Sequence, residues 1–352
     1  MMVTAKPQPM SVSISVIMPC YNTAPYLPAS VESVLAQTWR DWGLIIANDG
    51  SSDDTLSWLQ SQNDPCIRWL DQIRSGAGAA SNAGGAEAAG RYVAFLDADD
   101  TWAADFLGKI LAALQACLDL ALVYCGWQNV GLPGGRGEPF VTPDYENATK
   151  VETLFAGCRW PIHAALVKRE AVLTAGEFDP ALKNAEDYAL WLRIATTAPI
   201  ARVPVVLAFY HFHGAAQAPS NKARAALHHL HAQQYYLARR PDSSAVLGKR
   251  RVRELTLGEL LKHGYASYWD RDLSAARQIF RAVMKQGYGT LRDWKYMLPA
   301  WQPLSWHPRL IRLRGKKHRH AMSSINATLT PIKMHAPNTP LGNTQRHIRA
   351  TF

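Results

Sequence analysis

Gly90-Arg91-Tyr92-Val93-Ala94-Phe95-Leu96-Asp97-Ala98-Asp99-Asp100 is an apolar strand running into three carboxylates. A short apolar run of β-branched and aromatic residues that stops at turn formers reads as a strand buried on both faces. Side chains alternate across a strand or extended turn, so Asp97 and Asp99 fall on one side. Two clustered carboxylates repel unless something positive lies between them. A hard divalent cation, Mn²⁺ or Mg²⁺, bridging to substrate phosphates meets that need, because it takes oxygen ligands and commonly uses only one or two protein carboxylates. A structural reading competes with this one, in which Asp99 or Asp100 caps a helix beginning near Ala103.

Upstream the pattern repeats. Val12 to Met18 is a β-branched run that stops at Pro19, and a helix follows from about Pro25. Next come Leu44 to Ala47, a helix opening near Ser52-Asp53, a short strand at Ile67 to Leu70 and a helix through Ala79 to Ala89. Such βαβαβαβ alternation with nearly all-apolar strands implies a parallel sheet covered on both faces. Ligands of open sheets of this kind bind beyond the carboxyl ends of the strands. The loop Pro19-Cys20-Tyr21-Asn22 therefore offers polar groups where a nucleotide base or ribose docks, or else is an ordinary strand-ending turn. In Asn48-Asp49-Gly50-Ser51-Ser52-Asp53, Asp49 is placed to accept from a base or ribose, while Ser52 and Asp53 read as helix caps.

Downstream, Gly131 to Gly137 reads as a surface loop, and Ala164 to Lys168 and Val203 to Tyr210 as further strands around a helix at Ala185 to Thr196. That helix opens on Asn184-Ala185-Glu186-Asp187-Tyr188. One acid there compensates the helix dipole. A carboxylate held near a second negative site has a raised pKa instead, which suits a general base for a hydroxyl. His211-x-His213 follows the last strand, either as a hydrogen-bonded surface pair or as a metal or diphosphate contact. The first domain is expected over residues 12 to 220, behind an N-terminal extension of residues 1 to 11. Residues 221 to 300 lack strand signals and read as helices, with Ala275, Ile279, Phe280 and Val283 on one apolar stripe.

The net charge of +10 is distributed unevenly, for no acidic residue follows Asp293 and the ten Lys and Arg beyond it equal the whole excess. Residues 1 to 293 are formally neutral, so nucleic acid is not an expected partner of this part. Residues 301 to 352 read as a basic, mostly disordered tail, whose run Arg309 to Arg319 suits an anionic membrane surface. Five scattered cysteines without a C-x-x-C pair indicate neither a zinc site nor a disulfide framework. With no signal peptide and no run of about 18 apolar residues, the expectation is a cytoplasmic protein, at most peripheral on the inner face of the plasma membrane.

Taken in order, Val16 to Asn22, Asn48 to Asp53, Gly90 to Asp100 and Glu186-Asp187-Tyr188-Ala189-Leu190-Trp191-Leu192-Arg193 resemble the family 2 inverting glycosyltransferases of bacteria. The resemblance covers about residues 12 to 215 and implies the GT-A fold, an α/β nucleotide-diphospho-sugar transferase domain with a mostly parallel sheet, here with a C-terminal helical extension. It implies that Pro19, Tyr21, Asn22, Asp49, Asn82 and Asp97 line the nucleotide, that Asp99 contacts the metal, and that His213 stands at the diphosphate and metal. Asp187 matches the catalytic base, with Glu186 beside it at the acceptor, and Trp191 and Arg193 support their helix. The implied partners are a nucleoside-diphosphate sugar donor and a glycan or lipid-linked acceptor, as in bacterial surface polysaccharide synthesis. Departures lie at Ser81, where an Arg is usual before Asn82, at Asn48 and at His211. A nucleotidyltransferase shares the frame but needs a Gly-rich basic phosphate loop, which Pro19 to Asn22 is not. A non-catalytic glycan- or membrane-binding relative is the further alternative, prompted by Ser81.

Overall fold

The computed structural model describes residues 12–302 apart from 133, 134, 136 and 214–220. Strands β1 (Ile14–Cys20), β2 (Trp42–Asn48), β3 (Ile67–Asp71) and β4 (Tyr92–Phe95) alternate with helices α1 (Leu27–Leu35), α2 (Thr55–Gln60) and α3 (Ala77–Ala86). All their pairings are parallel, in the order β3-β2-β1-β4. Consecutive residues of β1 and β4 are buried, so both faces of the sheet are covered, as the unbroken apolar runs require.

Thr101 and Trp102 then form a two-residue strand, β5, ahead of α4 (Phe106–Gln115). The helix expected near Ala103 therefore starts later, and neither Asp99 nor Asp100 caps it. The rest of the sheet comes from β6 (Leu122–Val130), β7 (Ala165–Lys168) and β8 (Ile200–His211), with α5 (Lys150–Ala156), α6 (Arg169–Thr174) and α7 (Glu186–Ala195) between them. Strand β6 was not expected, because Gly126, Gln128 and Asn129 break the apolar pattern on which a strand is recognised. The full order is β3-β2-β1-β4-β7-β6-β8-β5. Strand β7 is antiparallel to both neighbours and β5 to β8, whereas β6 and β8 are parallel. Two reversals around β7 cancel, so β1, β2, β4, β6 and β8 run the same way. Their carboxyl ends share one edge of the sheet.

Close approach of the chain to itself fixes this edge. A Cβ at Gly90, just before β4, would lie 2.6 Å from the Ser15 nitrogen and 2.9 Å from the Ile14 carbonyl carbon. Backbone cannot give way as a side-chain tip can. Gly90→Ala should accordingly destabilise the fold by about 1–3 kcal/mol, the usual cost of overpacking, seen as a lower urea midpoint with an unchanged slope.

After β8 the described chain is helical: α8 (Lys222–Arg239), α9 (Pro241–Leu247), α10 (Lys249–Arg253), a π-helical turn at Glu254–Gly258, α11 (Glu259–Trp269), α12 (Leu273–Lys285) and α13 (Leu291–Met297). The stripe Ala275, Ile279, Phe280 and Val283 is buried in a second apolar cluster with Leu257, Leu260 and Leu261. Helix α8 serves both cores, for Ala232 and Tyr236 join the sheet's core while Ala223, Ala226 and Leu230 join the second. It lies along α7, with the Tyr188 and His229 rings stacked at 4.1 Å and Gln233 donating to the Phe155 carbonyl at 2.8 Å. No helix among the described residues is long and apolar enough to cross a membrane. The N-terminal extension, the end of the first domain at residues 214–220 and the tail with Arg309 to Arg319 lie outside the described residues.

Candidate functional site

The shared carboxyl edge gathers the loops after β1, β2, β3 and β4, the end of β8 and the start of α7. On its first side the loops are laced together. The Asn22 Oδ1 accepts from the Ser52 amide at 2.8 Å, the Asn22 amide donates to Ser51 Oγ at 2.9 Å, and the Ala24 amide donates to Asp53 at 3.1 Å. Asn22 takes a left-handed φ of 52°, which Asn tolerates better than most residues. Asp49 is buried and accepts from Gln72 Nε2 and the Ser75 amide at 2.7 Å each and from the Gly76 amide at 2.8 Å. Its carboxylate thus fixes the loop that enters α3.

Two expected nucleotide contacts change meaning here. The side chains of Asn22 and Asp49 hold loops together, which shapes the surface without requiring either to touch a ligand. Asn82 is likewise tied to the protein itself: its amide forms a reciprocal pair with the Phe178 backbone, at 2.9 and 3.0 Å, and joins α3 to the segment before α7. Tyr21 remains available at the rim, with the Arg74 guanidinium 3.8 Å over its ring. Arg74 escaped the sequence reading, although a cation in the loop after β3 lies at the same sheet edge as the other candidates.

At the centre, Asp97, Asp99 and Asp100 leave β4 in three directions. Asp100 is fully buried, and its Oδ1 accepts from the His211 amide at 2.9 Å. It is a clamp on the end of β8, which corrects the helix-cap reading. Its Oδ2 lies 2.9 Å from Nδ1 of the fully buried His163, out of hydrogen-bond alignment, and that oxygen and both ring nitrogens have no hydrogen-bond partner. Asp99 faces outward, 3.6 Å from Nε2 of His213, whose ring stacks on Tyr26 at 3.6 Å. His211 turns aside and bonds Thr101 Oγ1 at 2.8 Å. Neither His163 nor Tyr26 carried a sequence signal, since a His inside Pro161-Ile162-His163-Ala164 reads as core and Tyr26 as a helix entry.

Helix α7 supplies the third side. Ala185 takes a left-handed φ of 64°, a strained conformation for a residue with a Cβ, and so turns Glu186 and Asp187 inward at the first helical positions. Asp187 Oδ1 accepts from the Tyr188 amide at 2.6 Å, while Glu186 Oε2 is buried without a partner. Arg193 anchors the helix by donating to the carbonyls of Ala189, Ala175 and Glu177.

Asp97, Asp99, Glu186 and Asp187 now lie near one another in a largely desolvated site, and their pKa values record it. Burial pushes Asp97 well above the ordinary carboxylate range, and Asp100, Asp99, Glu186 and Asp187 add to the rise. Burial and Asp100 bring Asp99 to about 6, with His213 opposing. Glu186 rises to about 7 through burial and Asp187, and Asp187 rises through burial. Divalent cation chemistry fits this donor set. Bonds of ~2.1 Å to one ion put neighbouring ligand atoms ~3 Å and opposed ones ~4 Å apart, and the Asp99 to His213 distance of 3.6 Å falls between. One ligand atom from each of Asp97, Asp100 and His163 lies within 4.8 Å of the others, directly behind.

The model of the glycosyl transferase family 2 matches residues 15–140. The UDP-Glc:alpha-D-GlcNAc-diphosphoundecaprenol beta-1,3-glucosyltransferase WfgD of Escherichia coli is 31% identical over 183 residues, which cover 51% of this chain and 69% of that one. This chain belongs to glycosyl transferase family 2. The chondroitin synthase of Escherichia coli is 30% identical over 206 residues, 54% of this chain but only 27% of its own length, so the likeness concerns a part of that larger relative. Among solved structures, residues 1–349 of S. aureus TarS align with a TM-score of 0.55 at 17% identity, covering 77% of this chain and 81% of that one. The fold is thus the expected GT-A type, with a mixed sheet in which β7 and β5 are the reversed strands. The family 2 match ends at residue 140, before β7, and so does not reach Asp187 or His213.

Proposed function

We propose that this chain moves a sugar from a nucleoside-diphosphate sugar to a hydroxyl of a glycan or lipid-linked acceptor, in one inverting displacement that depends on Mn²⁺ or Mg²⁺. The observation that carries this reading is the convergence of Glu186 and Asp187 at the start of α7 on Asp97 and Asp99 at the end of β4, all raised in pKa, with Asp99 beside the His213 imidazole. The acceptor hydroxyl attacks the anomeric carbon while Asp187 takes its proton, and the bond to the diphosphate breaks on the opposite face of the sugar. A raised pKa brings that base nearer the acidity range where proton transfer is efficient. Asp99 and His213 would hold the divalent ion, which when bound offsets the charge of the diphosphate. Asp97 stands on the nucleotide side, and Glu186 borders the acceptor. A lipid-linked acceptor is supported by the likeness to WfgD, whose own acceptor is an alpha-D-GlcNAc-diphosphoundecaprenol.

Incubation with Mn²⁺, a panel of UDP- and GDP-sugars and candidate acceptors tests the proposal, with nucleotide release measured and the product's anomeric configuration read by NMR. An inverted product is expected. A retained configuration, or release indifferent to both metal and acceptor, would overturn it.

Ser81 leaves the usual cation before Asn82 missing, and Arg74 stands in for it at the nucleotide rim. A guanidinium over an aromatic face is worth roughly 0.5–2 kcal/mol depending on desolvation. Arg74→Ala should therefore raise the donor KM, and the Kd of the matching nucleoside diphosphate, by roughly threefold to tenfold, with kcat little changed. Calorimetric titration of the diphosphate checks this directly.

A further inference from the structure

Built on that metal-dependent reading, a second layer of the site can be assigned. We propose that His163 is a positioning residue, which holds the Asp97-Ala98-Asp99-Asp100 turn from behind so that Asp99 meets His213 at the ion.

Four observations make one mechanical chain. The backbone of residue 163 is fastened to the turn's far end, because Trp102 Nε1 donates to its carbonyl at 2.6 Å. Its ring lies against Asp100, Nδ1 to Oδ2 at 2.9 Å. The other oxygen of Asp100 accepts from the His211 amide at 2.9 Å, which sets where β8 ends. Two residues further on, His213 stands 3.6 Å from Asp99. A displacement of the His163 ring therefore reaches both partners of the ion, through Asp100 on one side and the end of β8 on the other.

Energetics favours this role over ordinary packing. Polar atoms left buried without a partner cost ~1–3 kcal/mol each, and three lie together here: Asp100 Oδ2 and both nitrogens of His163. An apolar residue at 163 would avoid the cost of the two nitrogens. The imidazole sets its polarity against Asp100 instead, and its field reaches Asp99 and Asp187 as well.

Of the two ring nitrogens only Nδ1 faces Asp100 at close range, and amide side chains separate the two positions. The amide nitrogen of Asn falls near the place of Nδ1, that of Gln near Nε2. In the full chain, His163→Asn should keep Mn²⁺ binding within about threefold of the parent, read by electron paramagnetic resonance with UDP or GDP present. His163→Gln and His163→Leu should weaken it about tenfold, and His163→Leu combined with Asp100→Asn should be no weaker than the poorer single variant, as expected for groups acting through one another. Circular dichroism and melting temperature identify variants that fail to fold, and the Asn against Gln comparison survives the loss of the Leu variant. Equal Mn²⁺ affinity in the parent and in folded His163→Gln and His163→Leu would overturn the assignment. So would equal losses for Asn and Gln that track melting temperature. A parent chain that binds no Mn²⁺ with either nucleotide sinks the metal-dependent reading itself, and this inference with it.

Discussion

Replacing Asp187 with Asn should lower kcat about a thousandfold, in the middle of the 10²–10⁴ range that a positioned base contributes, and leave the protein no less stable at neutral pH. The substitution keeps an oxygen for the 2.6 Å bond from the Tyr188 amide, so the start of α7 stays closed. Only the proton acceptor is lost. Stability moves the other way because the Asp187 pKa is raised in the fold, by burial above all. A carboxyl with a raised folded pKa binds its proton more tightly folded than unfolded. Its destabilising effect is absent below the ordinary carboxylate pKa and grows as pH rises towards the folded value. Glu186, held at about 7, shares that burden and is relieved when the Asp187 charge goes. The acid limb of kcat/KM in the parent should lie above the ordinary carboxylate range for the same reason. Thermal melts of parent and Asp187→Asn in EDTA across pH 5 to 8, beside single-turnover rates, check both halves. A variant that is slow because it is less stable would remove the assignment.

How far the sequence foretold this site varies with the physics of each part. The four parallel strands were legible because burial on both faces needs continuous apolar runs, and β1 and β4 are such runs. Strand β6 was not, since its Gly126 sits where a Cβ would lie 2.9 Å from the Phe140 carbonyl oxygen, and a residue chosen for tightness carries no apolar signature. Asp97, Asp99, Asp187 and His213 lie at strand ends and a helix start, positions that local pattern encodes, while the roles expected of them came from the family resemblance. Asp100 was misread as a cap because its real partners, the His211 amide and the His163 ring, are 111 residues distant in one case and set by β7 in the other. The tie of Asn82 to Phe178, 96 residues away, is equally absent from local pattern. A helix start fixes a residue's environment within a turn or two. Whether a polar side chain faces a ligand or the protein's own backbone is decided by tertiary pairing, which no local spacing contains.

Asp99→Ala tests the other half of the site, and its failure should look different. Removing one preorganised electrostatic partner of a developing charge typically costs 10²–10³ in rate, so kcat/KM should fall by about that factor at the Mn²⁺ concentration that saturates the parent. The Mn²⁺ concentration for half-activation should rise at least tenfold, because His213 and the carboxylates behind it would hold the ion without their outward-facing member. Asp187→Asn should leave that concentration unchanged, since Asp187 belongs to the acceptor side. Added Mn²⁺ should then rescue Asp99→Ala in part and Asp187→Asn not at all. The pH profile separates them again: Asp99 helps to hold the pKa of Asp97 up, so its removal lets Asp97 ionise at lower pH, while the base on α7 keeps its own raised value. The acid limb of Asp99→Ala should thus stay near the parent's even as the rate collapses. If the two variants shifted Mn²⁺ half-activation equally, the metal and the base could not occupy the separate sides that β4 and α7 give them.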